Sequence, residues 1–434
     1  MSQPTKKKKT HIELYGARDT NHVKTGPLLG MTILDFTQNQ AGPQAASLMC
    51  DYGARVIKVE PPGLGDPIRA VRNSRGFSAQ LFTFNRGKLS IQIDLKTKEG
   101  LEIIYDLVKH CDAVLENFKV GIMDKLGIGY EKLKSINPNI IYCSASGFGL
   151  TGEWSKRGSY DSIGQAFSGA ATSQGGGPSY KPIRVGTGNT CDTMSGIMAA
   201  LSLLAALLQR ERTGVAQRVD SSQLGAFMTL TNLTISQYLE SGKQLDDGIM
   251  SGHHWNSYLD DYLSKDRKWF AIGSSTDQQW RRICKALGRL DMSEKFLSHR
   301  TRMKNQDLIQ NELSNEFAKY TRDELIEMMV DVDVPIAPHN SYDDLLNEQH
   351  VWDNNLVVDS FGKRHVAPSA NFSETKSQVQ GPPPEVGEDT KTILADVLGY
   401  DNSKINHLLE KKVVTHNDPT VIKGNVEGGI ISKL

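Results

Sequence analysis

The chain has 434 residues, and its 50 Lys and Arg against 50 Asp and Glu leave a formal net charge of zero. That length suits two or three domains of about 100–200 residues each, and the charge balance excludes a dedicated nucleic-acid or membrane-surface protein. The five cysteines (Cys50, Cys111, Cys143, Cys191 and Cys284) are scattered without a CxxC pair, which argues against a disulfide scaffold or a zinc site and fits a reducing cytoplasm.

Residues 1–27 read as a flexible extension. Lys6–Lys9 is a solvated basic run, and no apolar segment follows it to make a secretory signal. Thr32–Phe36 reads as a strand, Gly42–Gly53 as a helix and Arg55–Val59 as a second strand, followed by the breaker run Pro61–Pro67. Ser90–Asp94 alternates with period two. Thr97–Cys111 then places Leu101, Ile104, Leu107 and Val108 at helical spacing. Asp112–Leu115 and Asn139–Cys143 complete a set of strands separated by helix-length segments. This pattern predicts an α/β fold with βαβ units and a mostly parallel sheet.

A second region covers about 225–345. Trp269–Gly273 reads as a strand and Thr276–Leu287 as a helix that starts at Thr276 or Asp277. Val334–Pro338 is extended, and Tyr342–Asn347 is helical. Gln380–Gly387 is a Gly/Pro-rich loop, Asp389–Leu398 is helical, and the residues from Thr415 form a tail. The expected organisation is an extension (1–27), a large domain (28–225), a linker with a small domain (226–345), a C-terminal return to the large domain (346–414) and the tail (415–434).

Asp192 follows the glycine-rich turn Gly186–Cys191 and opens the apolar stretch Ile197–Leu208, which is too short to span a bilayer and reads as a core helix. A carboxylate in that place is either an N-cap for the first helical turn or a reactive group held by the end of a rigid element. Gly63-Leu-Gly65 and Gly127-Ile-Gly129 lack the strand–GxGxxG–helix context and read as turns. No GxxxxGK[ST], GxSxG or HExxH motif occurs, so nucleophilic-serine and zinc-hydrolase readings have no support.

A set of segments occurs together and in order: Leu34-Asp-Phe-Thr-Gln-Asn-Gln-Ala-Gly-Pro43, Asp51–Pro61, Phe84-Asn-Arg-Gly-Lys88, Ile93-Asp-Leu-Lys96 and Leu115-Glu-Asn-Phe118. Ile140–Gly149, Ser159-Tyr-Asp161 with Gln165, Asp192 with Gly196, and Glu211–Asp220 follow. This set resembles the class III CoA-transferases, the formyl-CoA transferase and carnitine CoA-transferase family of CaiB–BaiF type. The resemblance covers almost the whole chain and is strongest from about 28 to 225.

The resemblance implies residue roles. Asp192 falls on the family's nucleophilic aspartate, and Gln40 on a glutamine beside the reacting acyl group. Tyr160 and Asp161 match a tyrosine–acidic pair near the substrate carboxylate. Ile93, Lys96, Asn117, Phe118 and Lys125 fall on positions that hold CoA, with Lys125 where an arginine is often found. Without the resemblance, Lys96 and Lys125 read as solvated lysines, Phe118 as a core aromatic and Asn117 as a turn residue. Asp161 then reads as a cap for the helix that follows it, and Tyr160 as simple packing.

The resemblance also implies an interlocked dimer of Rossmann-like large domains and smaller α/β domains. Each active site would lie between the large domain of one chain and the small domain of the other. One departure concerns a lid: some family members carry four glycines where this chain has Met250-Ser-Gly-His-His-Trp255. The Gln174–Pro178 loop is glycine-rich but falls within the first lobe of the sequence.

The chemistry needs neither a metal nor a tightly bound cofactor, because the CoA thioester is itself a substrate. A carboxylate attacks the thioester to give a mixed anhydride. CoA thiolate then forms an aspartyl thioester, and an acceptor acid reverses the sequence. A helix N-terminus beside Asp192 is expected to keep it ionised. The expected activity is an acyl-CoA:carboxylate CoA-transferase, cytoplasmic and partnered with a second copy or a related subunit, with succinyl-CoA a common family donor. The alternatives are a CoA-binding subunit of a heteromeric transferase, such as one acting on benzylsuccinate-like acids, and an α-methylacyl-CoA racemase. The racemase usually needs a His-Asp step where this chain has Tyr160-Asp161.

Overall fold

A computed structural model describes residues 18, 24–74, 76–186, 189–243, 261–274 and 276–416. These residues fall into two compact units, one comprising the residues up to Ala171 with Ile183–Gly242 and those from Asn354 on, the other comprising Thr172–Pro182 and Lys243–Asp353.

The first unit is built on β1 (Thr32–Asp35), β2 (Arg55–Glu60), β3 (Leu89–Ile93), β4 (Ala113–Glu116), β5 (Ile141–Ser144) and β6 (Arg218–Asp220). The strand order is β3-β2-β1-β4-β5-β6, all parallel, and the short strand Val414–Thr415 adds antiparallel to the outer edge of β3. The apolar runs read from the sequence are continuous because both faces of the sheet are covered. Leu34, Ile57, Ile91, Val114 and Tyr142 enter one core. Their strand neighbours Ile33, Val56, Ala113, Leu115, Ile141 and Cys143 enter the other. Each such buried aliphatic contributes about 1.5–3 kcal/mol relative to exposure.

The helices of this unit are α1 (Ala41–Asp51), α2 (Ala79–Asn85), α3 (Lys98–Val108), α4 (Ile122–Lys125), α5 (Tyr130–Ile136), α6 (Asp161–Phe167), α7 (Thr190–Thr213) and α8 (Gln223–Leu230). In α3 the Thr97 hydroxyl accepts from Gly100 N–H, and Ile104, Leu107 and Val108 face the core as the spacing predicts. Helix α7 is long and apolar enough to cross a membrane by composition. Its Ala199, Ala200, Leu203, Ala206 and Leu207 face packs into the second core with Ala45, Ala46 and Met49 of α1, as a core helix does. These small residues let α1 and α7 approach closely. Closest of all is Gly196, where a Cβ would stand 2.5 Å from Gln44 Cβ and 2.8 Å from Ala41 O.

The chain re-enters this unit after residue 353. Asp389 accepts from Ser90 N–H at 2.8 Å, and Ile405 and Leu408 from the helix Asn402–Glu410 complete the first core. In the second unit, β7 (Asp261–Leu263), β8 (Trp269–Ile272) and β9 (Ile336–Pro338) form an antiparallel sheet. Its core includes Phe270, Trp280, Ile283, Leu313, Phe317 and Met329, and the Thr276 hydroxyl caps the helix Asp277–Ala286. The glycine-rich Gln174–Pro178, which the sequence places in the first lobe, groups with this second unit.

Candidate active site

Strand order reverses between β1 and β4, and in open parallel sheets the crevice outside the carboxyl ends of the strands at such a point is where ligands bind. The loop leaving β1 there is held by side chains from three directions. Asn117, just after β4, accepts from Gln38 N–H at 2.8 Å and donates to Gln38 O at 2.9 Å. Lys58 Nζ donates to Thr37 O at 2.7 Å and pairs with Asp66 at 2.8 Å, while Asp66 accepts from Asn39 N–H at 3.0 Å. Asp35 accepts from Thr37 N–H and pairs with Lys88 at 2.8 Å.

Lys58, Lys88 and Asp35 are fully buried. Burial opposes the charge on Asp35, but Lys88 and Lys58 outweigh it and hold its carboxyl below the usual range. Buried ion pairs of this kind contribute little net stability but are costly to break. Here they fix a backbone in which Asn39 sits at φ 63°, a left-handed conformation that asparagine tolerates.

That loop delivers Gln40 to the N-terminus of α1. Gln40 is 5% exposed, and its Nε2 has no hydrogen-bond partner among the described residues. Gly196 rests on Ala41 and Gln44, so the second turn of α7, one turn beyond Asp192, packs against the first turn of α1, which follows Gln40.

Helix α7 begins after Asn189, itself at φ 60°. Asp192 is its third residue and is not its cap. The capping is done by Asp161 of α6, whose Oδ1 accepts from Cys191 N–H at 2.8 Å and Asp192 N–H at 3.3 Å. Asp161 is in turn held by Gln165, whose Nε2 donates to Oδ2 at 2.9 Å and whose Oε1 accepts from Val185 N–H. The Asp192 carboxylate is half-buried, and its Oδ1 accepts from Nε2 of Gln223, the first residue of α8.

Burial, then the neighbouring Asp161 charge, raises Asp192 to about 6, with the Gln223 hydrogen bond opposing them. The helix end was expected to keep this carboxylate ionised. It does not lower the pKa, because burial raises it, and Asp161 takes the first-turn N–H groups and adds a like charge.

The other expected site residues are dispersed along the carboxyl edge of the sheet. Tyr160 precedes α6 and is 72% exposed. Ile93 ends β3 with its side chain fully buried and paired in register with Val414. Lys96 is exposed in the following turn, and Lys125 is exposed at the end of α4. Phe118 packs partly buried on the first core, and its N–H donates to Glu116. Both polar atoms of the Asn117 side-chain amide are committed to Gln38. Met250–Trp255, where the lid was expected, and Thr187 and Gly188 of the approach to Asp192 lie outside the described residues. Gln223 was not anticipated: at the head of Gln-Leu-Gly-Ala-Phe-Met-Thr-Leu it reads as an ordinary helix start.

Among known proteins, the family model described as CoA-transferase family III matches residues 28–390. The chain is 33% identical over 408 residues to the succinyl-CoA:glutarate CoA-transferase of Mus musculus, covering 90% of this chain and 91% of that one. It is 29% identical to the succinyl-CoA–L-malate CoA-transferase beta subunit of Chloroflexus aurantiacus, over 90% of this chain and 98% of that one. The crystal structure of a CAIB/BAIF family protein from Brucella suis is similar with a TM-score of 0.74 and 30% identity, over 86% of this chain and all of that one.

Proposed function

We propose that this chain, which belongs to CoA-transferase family III and is an acyl-CoA:carboxylate CoA-transferase, works through Asp192 as a covalent nucleophile. The observation that carries this reading is one half-buried carboxylate in the first turn of a helix, its Oδ1 held by Gln223 and its pKa raised to about 6.

One oxygen of Asp192 attacks the thioester carbonyl and CoA leaves as thiolate, giving a mixed anhydride. The thiolate attacks Asp192 Cγ and expels the donor acid, leaving an aspartyl–CoA thioester. The acceptor carboxylate attacks that thioester to form the second anhydride. CoA thiolate then attacks its acyl carbon, and Asp192 is released. Thioester is exchanged for thioester, so no energy input is needed.

A carboxyl raised to about 6 stays largely ionised at neutral pH. It is a better nucleophile than an ordinary aspartate, and it lies closer to a thiol near 8.5, so neither group is strongly disfavoured as leaving group. Gln40 Nε2 supplies a donor for the substrate acyl oxygen. Ile93, Lys96, Asn117, Phe118 and Lys125 follow β3 and β4 on the same edge, consistent with a CoA track there. Asp161 bonds the N–H groups of Cys191 and Asp192, and in this reading it and the preceding Tyr160 form the acid-binding side.

The named donor of both relatives is succinyl-CoA, and succinyl-CoA with a dicarboxylic acceptor is the pair proposed here. Exposed Ile197, Leu201 and Leu208 on α7, with Leu233 and Leu239 on the helix Asn232–Ser241, form an apolar surface suited to a second chain in a cytoplasmic dimer. The similarity to a beta subunit keeps a heteromer as the second reading. The test is a mass-spectrometric screen of acyl-CoA and acid pairs with the isolated chain, with gel filtration alongside. Hydroxylamine trapping should locate a CoA adduct on Asp192. An active enzyme that carries no adduct there, or an active Asp192→Asn variant, overturns the reading.

A further inference from the structure

We propose that Gln223 is a catalytic residue, the oxyanion donor for the enzyme's own aspartyl carbonyl, and that Ser159 is the positioning residue that aims it. This rests on Asp192 being the nucleophile.

Gln223 is 5% exposed, and its backbone N–H donates to Ser146 O at 2.8 Å, tying the start of α8 to the loop after β5. Its Nε2 donates to Asp192 Oδ1, and its Oε1 accepts from Ser159 Oγ at 2.5 Å. A carboxylate only accepts, so the NH₂ must face Asp192, and the hydroxyl of Ser159 holds the opposite end of the amide in that sense. Two glycines make room for the pair. A Cβ on Gly147 would stand 2.6 Å from Ser159 Cβ, and one on Gly164 would stand 2.5 Å from Cys191 Sγ and 3.4 Å from Gln223 Cγ and Cδ.

The consequence is chemical. With Oδ1 held by Gln223, Oδ2 is the oxygen that bonds to the acyl carbon, and Oδ1 becomes the carbonyl oxygen of the anhydride. When CoA thiolate attacks Cγ, negative charge develops on Oδ1, against the Gln223 N–H. The tetrahedral species then collapses by breaking the Cγ–Oδ2 bond, releasing the donor carboxylate and leaving the thioester. No proton is transferred. The same donor serves when the acceptor acid attacks that thioester. A donor placed in advance where charge develops is worth about 10²–10³ in kcat. The buried Nε2 of Gln40 has no partner among the described residues and in this scheme serves the substrate's own carbonyl.

In the full-length chain, Gln223→Met should lower kcat for exchange by about 10²–10³, with KM for the acyl-CoA changed less than threefold. Under acid quench and intact-mass analysis without hydroxylamine, the acyl adduct on Asp192 should persist while the CoA adduct no longer accumulates. Ser159→Ala, a smaller change, should lower kcat about tenfold with the same altered adduct ratio, and should move the acid limb of the pH profile upward as the aim of the donor is lost. If wild type forms the Asp192–CoA adduct and folded Gln223→Met keeps kcat within threefold, Gln223 is not the donor. Should Gln223→Met fail to fold, Ser159→Ala decides, and an unchanged adduct ratio and pH profile refute the proposal. If wild type forms no adduct on Asp192, it is the nucleophile reading that fails.

Discussion

The raised pKa of Asp192 makes the proposed nucleophile a stability cost, and Asp192→Asn should expose it. An ordinary aspartate titrates near 3.9, and Asp192 near 6. A difference of about 2 at 1.36 kcal/mol each gives a ceiling of about 3 kcal/mol. Solvent reaches the half-buried carboxylate and screens it, which reduces the expected effect to about 1–2 kcal/mol. The sign follows from linkage. The folded state holds the Asp192 proton more tightly than the unfolded chain does, so ionisation favours unfolding. The cost is absent below about pH 4, grows between about 4 and 6, and is complete above that.

Asparagine keeps an Oδ1 to accept from Gln223 and removes the charge that faces Asp161. The variant should therefore match wild type at the acid end, exceed it by about 1–2 kcal/mol at pH 8, and have no exchange activity. Urea unfolding at both pH values, with an unchanged m-value, measures the difference. A variant no more stable than wild type at pH 8, or one whose advantage ignores pH, refutes the reasoning.

Asp161→Asn should move the acid limb of kcat/KM below about 6, because the like charge beside Asp192 is removed; a limb that stays or rises contradicts the assigned cause. Asn117→Ala should lower kcat about tenfold while KM for acyl-CoA stays within about threefold, since two hydrogen bonds on Gln38, each worth about 0.5–1.5 kcal/mol, hold the loop that carries Gln40. A rise in KM with kcat unchanged would instead make Asn117 a CoA contact. Gly196→Ala should destabilise the protein by about 1–3 kcal/mol in thermal unfolding and cut kcat at least tenfold. The new methyl meets Ala41 O and Gln44 and drives the α1 and α7 ends apart, so wild-type kcat in this variant would show that their spacing does not matter.

The sheet was legible because strands covered on both faces leave continuous apolar runs, and α3 because its apolar face recurs at helical spacing. Helix α2 was hidden by its seven residues, although Ser78 caps it, and β6 by its three. Lys58, within the strand Arg55–Glu60, lies buried between Thr37 O and Asp66, and only the tertiary fold provides those partners.

The candidate site divides along the same line. Asp192 could be found, because a glycine-rich turn before an apolar helix marks a backbone end beside which a carboxylate is conspicuous. Asp161 was expected through the resemblance alone and Gln223 not at all, since each lies about thirty residues away along the chain. That distance hides the second cause of the raised pKa, which adds to burial. From local sequence the first-turn N–H groups of α7 belong to the nearest carboxylate, and a helix end then lowers its pKa. In the fold, Asp161 arrives from α6, takes the N–H groups of Cys191 and of Asp192 itself, and leaves Asp192 facing its charge. A cap supplied from another helix thus does two things: it satisfies the helix end, and it adds to burial in raising the basicity of the carboxylate proposed to attack.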